Sequence, residues 1–106
     1  MFENQKDRGG CVVSKNIVTG KGKLKWCIRE EPKHAVDNGW VFLSDIDTEE
    51  YLSKSDSFQL MRWEDVVRIE PAIIKIFNCP IGADLELVKE DDEDHFYDNI
   101  TGLKIF

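Results

Sequence analysis

Residues 24–43 read LKWCIREEPKHAVDNGWVFL, and this stretch decides how the chain folds. Leu24 to Glu30 alternates as a strand, with Leu24, Trp26 and Ile28 on one face and Lys25, Cys27 and Arg29 on the other. Glu31-Pro32 ends it, because proline brings no N–H to a ladder and restricts the residue before it. Lys33 to Gly39 is a loop carrying the turn signal Asn38-Gly39. Trp40 to Ile46, WVFLSDI, is apolar on both faces over its first four residues, the pattern of a strand near the middle of a covered sheet.

Outward from this pair, residues 1–9 form a flexible polar lead-in and a single domain occupies 10–106. Cys11 to Val18 is rich in β-branched residues, and Thr19-Gly20-Lys21-Gly22 supplies glycines for a tight turn, so a hairpin with the 24–30 strand is expected. Asp47-Thr48-Glu49-Glu50 carries helix-start chemistry, with Asp47 as cap, for a short helix over 47–54. Phe58 to Arg62 is a short strand or an extended link. Trp63 to Asn78 has helical period, divided at Pro71, which is tolerated only at a first helical position. Leu85 to Lys89 is a further strand, and Glu90-Asp91-Asp92-Glu93-Asp94 an acidic loop. These elements make an α+β domain: a mostly antiparallel sheet of about 4–5 strands, with two or three short helices packed on one face.

The 106 residues suffice for one core, and 42% hydrophobic against 33% charged residues excludes wholesale disorder. No apolar run is long enough to span a membrane and MFENQKDRGG is not a signal peptide, so a cytoplasmic location is expected. Charge is uneven within the net −7. Residues 1–35 hold eight Lys/Arg and four Asp/Glu, whereas 36–106 hold six and seventeen. Residues 84–98 alone carry eight carboxylates and one lysine. Such a field repels nucleic-acid phosphates and steers a basic protein toward it.

Candidate chemistry is sparse. Cys11, Cys27 and Cys79 are odd in number and embedded among apolar neighbours, which suits reduced buried thiols and matches no zinc spacing. His34 and His95 lie in polar and acidic surroundings. Gly20-Lys21-Gly22-Lys23 lacks phosphate-loop spacing, and the acidic run lacks the glycine and closing glutamate of a calcium loop. No cofactor, metal or catalytic residue is assigned. Arg29 can fork onto Asp37 or Glu31 and pin the loop between the two strands. Trp26, Arg29 and Trp40 are of the types that dominate interface hot spots, and form a candidate partner-binding rim beside the carboxylates of 90–94.

Gly10-Cys11-Val12-Val13-Ser14, Trp26 through Arg29-Glu30-Glu31-Pro32, Asp37-Asn38-Gly39-Trp40-Val41-Phe42-Leu43-Ser44, Glu70-Pro71-Ala72-Ile73-Ile74 and Pro80-Ile81-Gly82-Ala83 together resemble a small bacterial domain family. That family is also described as predicted immunity proteins of polymorphic toxin systems. The resemblance covers about residues 10–87 and is sharpest in R-E-E-P followed by D-x-G-W-x-F-L; Asn38, Asp45 and Glu70 depart from the family's usual serine, glycine and aspartate. It implies structural roles for Glu30, Glu31, Pro32, Asp37 and Gly39, and a protein that blocks a toxin by occupying its surface without catalysis. Two other classes fit the composition: an enzyme, small-ligand- or metal-dependent, with a pocket between sheet and helices, and a homodimeric accessory domain joined at a sheet edge.

Overall fold

The computed structural model describes residues 8–106. Six strands, β1 (Gly10–Ser14), β2 (Leu24–Arg29), β3 (Asp37–Ser44), β4 (Phe58–Arg62), β5 (Asp84–Glu90) and β6 (Glu93–Asp98), form one sheet in the order β4-β1-β3-β2-β5-β6. Among the described residues, three short α-helices, α1 (Lys15–Val18), α2 (Glu49–Leu52) and α3 (Trp63–Ile69), and two 3-10 segments, Ser55–Ser57 and Pro71–Ile76, complete the α+β domain. Of the lead-in expected over 1–9, residues 1–7 lie outside the described residues. Arg8 and Gly9 lie against the fold, since the Trp63 N–H donates to the Gly9 carbonyl at 2.9 Å and the Arg8 guanidinium sits 4.8 Å from the Phe77 ring.

β3 holds the interior position its apolar run implies, between β1 and β2, with Trp40 and Phe42 wholly buried. The hairpin expected between β1 and β2 does not form. β1 ends at Ser14, whose hydroxyl accepts the Asn16 N–H at 3.3 Å and caps α1. The chain then enters β2 on the far side of β3. β1 pairs with β3 in parallel, through Val12↔Val41 and Val13↔Phe42, while the other four pairings are antiparallel. The β-branched run 12–18 therefore contains a strand and one helical turn, because a local cap outcompeted strand propensity.

The alternation expected in β2 is also interrupted. Leu24 pairs with Ser44 and Trp26 with Leu43, so Lys25 is an extra residue and β2 bulges there. The bulge reverses the phase: Leu24 and Cys27 are buried together, while Trp26 and Ile28 face the other way, half-buried. The helix over 47–54 shortens to α2, capped by Thr48, whose hydroxyl accepts the Tyr51 N–H at 3.1 Å. Asp47 serves another purpose, described below.

The link from β4 to β5 must cross nearly the whole sheet, and it does so over one face. It carries α3 and the second 3-10 segment, split where Pro71 takes the first helical position and Glu70 accepts the Ala72 N–H at 3.2 Å. Trp63, Val66, Ala72, Ile73 and Ile76 from this link close over Cys11, Val13, Cys27, Trp40, Phe42, Leu85, Leu87 and Phe96. Trp40 and Phe42 stack with centroids 5.9 Å apart, and Trp63 packs 5.9 Å from Phe42 and edge-on to Phe77 at 4.7 Å.

A sixth strand was not anticipated. Glu93 and Asp94 begin β6, so the acidic run is a hairpin and not a loop: Glu90 pairs with Glu93 around a two-residue turn at Asp91-Asp92. Both turn residues have positive φ, 53° and 64°, as a two-residue hairpin of matching twist requires. Residues 103–106 lie along the outer edge of β6, with Ile105 N–H to Phe96 O at 2.8 Å and Asp98 N–H to Leu103 O at 2.8 Å.

Candidate partner-binding surface

The R-E-E-P and D-x-G-W segments meet at one end of β2 and β3. Arg29 makes neither expected ion pair. Its Nη1 donates to the carbonyls of Phe77 at 3.0 Å and Cys79 at 2.8 Å, and its Nε to that of Asn38 at 3.0 Å. The guanidinium also stands 5.6 Å from the Trp40 ring and 5.5 Å from Phe77. Arginine is needed here because two carbonyls at the end of the crossing link and one in β3 are bonded by a single side chain.

Asp37 pins the loop through the backbone. Its carboxylate accepts the Lys33 N–H at 2.9 Å and the Gly39 N–H at 2.8 Å. Partial burial raises its pKa, but these bonds outweigh it and hold the carboxyl below the ordinary carboxylate range. Gly39, at φ 88°, lies against Glu30, and the Glu30 N–H donates to its carbonyl at 2.7 Å. Asn38 is buried; its amide donates to Arg8 O at 3.0 Å and its side-chain oxygen accepts the Trp40 N–H at 2.9 Å. Glu30, Glu31 and Pro32 remain exposed at the surface.

Trp26, Arg29 and Trp40 consequently form no common rim. Trp40 is 0% exposed and its indole N–H donates to Phe77 O at 3.3 Å, so it meets the interior and no partner. Arg29 is committed to the same interior end. Trp26 alone is outward, on the opposite face of the sheet, with Lys25 Nζ 5.4 Å from its ring.

The five carboxylates of 90–94 are brought together at the tip of the β5–β6 hairpin, with Glu90, Asp91, Asp92 and Glu93 exposed. Their links are sparse: Glu90 accepts from the Tyr97 hydroxyl at 3.2 Å, Asp94 lies 3.4 Å from Lys89 Nζ, and Glu93 lies 3.4 Å from His95 Nε2. Lys89 leans inward to Glu70 at 2.9 Å, and that hydrogen bond raises its pKa. Glu70 thus reaches both Ala72 N and Lys89.

A second polar centre, missed in the sequence, lies at the opposite end of the central strands. Asp47 accepts from Ser44 N–H at 2.8 Å, Ser44 Oγ at 2.6 Å, Asn16 Nδ2 at 2.8 Å and Ser14 Oγ at 3.0 Å. Burial raises its pKa, yet the four donors win and keep the carboxyl below its usual range. The S-D-I-D run 44–47 was its only signal, and the same pattern starts helices.

Neither thiols nor histidines assemble into a reactive constellation. Burial pushes the Cys11 thiol up to about 12 and raises Cys27 and Cys79 as well, so all three stay protonated. Among the described residues no group of three or more His, Cys, Asp and Glu is placed to hold a metal ion. The space between sheet and crossing link is filled by Trp40, Phe42, Trp63, Ile73 and Ile76, each at most 2% exposed, where a substrate pocket had been an alternative. Among the described residues no helix is long and apolar enough to cross a membrane.

Comparison with known proteins adds one match. The model of the Immunity protein Imm33 domain fits residues 11–98, from β1 to the last residue of β6. No curated protein and no solved structure matches the chain. The Imm33 match takes in all six strands but for Gly10, including both motif segments that meet around Arg29, and the chain belongs to the Imm33 family of immunity proteins.

Proposed function

We propose that this chain neutralises a toxin by binding it, in the cytoplasm, as a stoichiometric and non-catalytic inhibitor, and that the toxin surface it meets is basic. Family membership over residues 11–98 carries the immunity role. The basic character of the partner rests on the β5–β6 hairpin, where residues 84–98 concentrate eight carboxylates against one lysine. Protonated thiols and a filled interior support a protein that works through its exterior.

The test starts from the neighbouring genes: a toxin domain encoded there is co-expressed with the chain, and the purified pair is then titrated. Growth should be rescued, and inhibition should be complete at one chain per toxin. Neutralising the hairpin with Glu90→Gln, Asp91→Asn, Asp92→Asn, Glu93→Gln and Asp94→Asn should slow association about tenfold or more at low salt and flatten its salt dependence. Inhibition that continues to turn over well below one chain per toxin overturns the non-catalytic reading. An unaltered association rate overturns the basic partner.

A further inference from the structure

The sheet has a second face, and its composition is divided. Strand pairing places Leu60, Val12, Val41 and Ile28 in one row across β4, β1, β3 and β2, and Leu43 beside Trp26 in the next. None of these six belongs to the buried core or packs against it: Leu60 is 77% exposed and the others are half-buried. The same pleat continues into β5 and β6. There it turns Asp84, Glu86, Val88 and Glu90 outward on one strand and Glu93, His95 and Tyr97 on the next, opposite in sense to buried Leu85, Leu87 and Phe96, so four carboxylates lie on this part of the face. An apolar field therefore runs directly into an acidic strip. Lys25, raised by the bulge, stands at their boundary 2.8 Å from Glu86.

We infer that the toxin docks across this uncovered face, with apolar side chains seated on Trp26, Ile28, Val41 and Leu60 and lysines or arginines over Glu90 and Glu93. This deepens the toxin-neutralising reading and rests on it. An apolar centre bordered by charge is how protein interfaces are built, and burial of Trp26 at the middle supplies the kind of anchor that dominates binding. Charge selects the occupant. A second copy of this chain, turned through a two-fold, would bring four carboxylates against the cations of the β4 corner, Arg62 and Lys33. Arg62 is already 3.2 Å from Asp65, so most of the strip would be left unmatched. A basic toxin satisfies the strip directly. Between Leu60, Val12 and Val36 the same face opens into a concavity of about 440 Å³ whose lining mixes Lys33 and Arg62 with Asp37, so the unbalanced acidic strip lies at one end of the face only and fixes the partner's orientation.

The experiment uses the full chain, methyl-labelled, and an inactivated form of the toxin domain that the co-expression test identifies. On addition of the toxin the methyls of Val12, Ile28, Val41, Leu43 and Leu60 should shift, while those of Val13, Val66, Ile73 and Ile76 on the packed side hold. Trp26→Thr with Val41→Thr, replacements that keep strand propensity, should weaken binding by about 30-fold or more. Leu60→Lys, at a side chain already in solvent, gives the same direction without risk to the fold. Binding that leaves this face's methyls and the variants' affinities unchanged overturns the docking face and leaves toxin neutralisation standing. A native chain that does not bind the toxin overturns both. A dimer joined through this face that the toxin does not dissociate makes a second copy the occupant and overturns the inference.

Discussion

Arg29 holds Phe77 in two ways: its Nη1 donates to the Phe77 carbonyl at 3.0 Å while the guanidinium lies 5.5 Å from the ring centre. The contact ties β2 to the end of the link that crosses the packed face, and Arg8 flanks the same ring at 4.8 Å. Lysine offers a single ammonium and no plane, so Arg29→Lys leaves the Asn38 or the Cys79 carbonyl without its Arg29 donor, while that of Phe77 keeps the Trp40 indole N–H. The variant should lose about 1–3 kcal/mol, read from urea unfolding with unchanged slope. A midpoint equal to the native one would show that the three carbonyls are satisfied without it.

Gly39 carries the closest approach of two backbones in the motif. At φ 88° a side chain is strained whatever the room, and an added Cβ would overlap the Glu30 carbonyl oxygen. Gly39→Ala should destabilise by about 2–4 kcal/mol, enough to lower the melting temperature by roughly 10 °C or more in a domain of this size. Gly20→Ala, also at positive φ but with open space around it, should cost less. Equal losses at the two positions would assign the whole effect to φ and none to Glu30.

Much of this was readable from residues alone, and what was not has identifiable causes. β3 declared itself because WVFL is apolar on both faces, and the break at Pro71 because proline has one tolerated place in a helix. The β1–β2 hairpin failed as an expectation because Ser14 offers the chain a local cap, and strand order depends on partners far apart in sequence. The bulge at Lys25 carries no signal in composition, yet it alone decides that Cys27 goes in and Trp26 comes out. For the same reason the rim of Trp26, Arg29 and Trp40 dissolved: each residue type was right for an interface, but the pleat sent them to different faces. The Asp91-Asp92 turn was hidden because aspartate reads as solvated loop more often than as a residue at positive φ.

Asp47 makes the fold sensitive to acid. Its folded pKa lies below the ordinary aspartate value of 3.8, so its contribution is fully present above that value and is lost as pH falls through the folded pKa. Asp37 acts with the same sign at the other end of the central strands. Asp47→Asn cannot accept from four donors as a charge and should cost about 1–3 kcal/mol at neutral pH. Urea midpoints between about pH 2.5 and 7 should show the gap between native and variant closing below about pH 4. A gap constant with pH would mean that the charge of Asp47 contributes nothing to stability.

The hairpin tip sets stability against binding. Asp91 and Asp92 occupy left-handed backbone, where asparagine and glycine sit at lower cost, and they lie between Glu90 and Glu93, paired like charges across the ladder. Asp91→Asn with Asp92→Gly should therefore stabilise the chain by about 0.5–1 kcal/mol, by easing the turn and removing two repelling carboxylates. The same change takes two charges from the field that steers a basic partner, so association should slow several-fold at low salt and converge with the native rate at high salt. Thermal melting and stopped-flow association on one protein separate the two effects. A variant both more stable and equally fast to associate would show that the tip's carboxylates serve neither the fold nor the encounter.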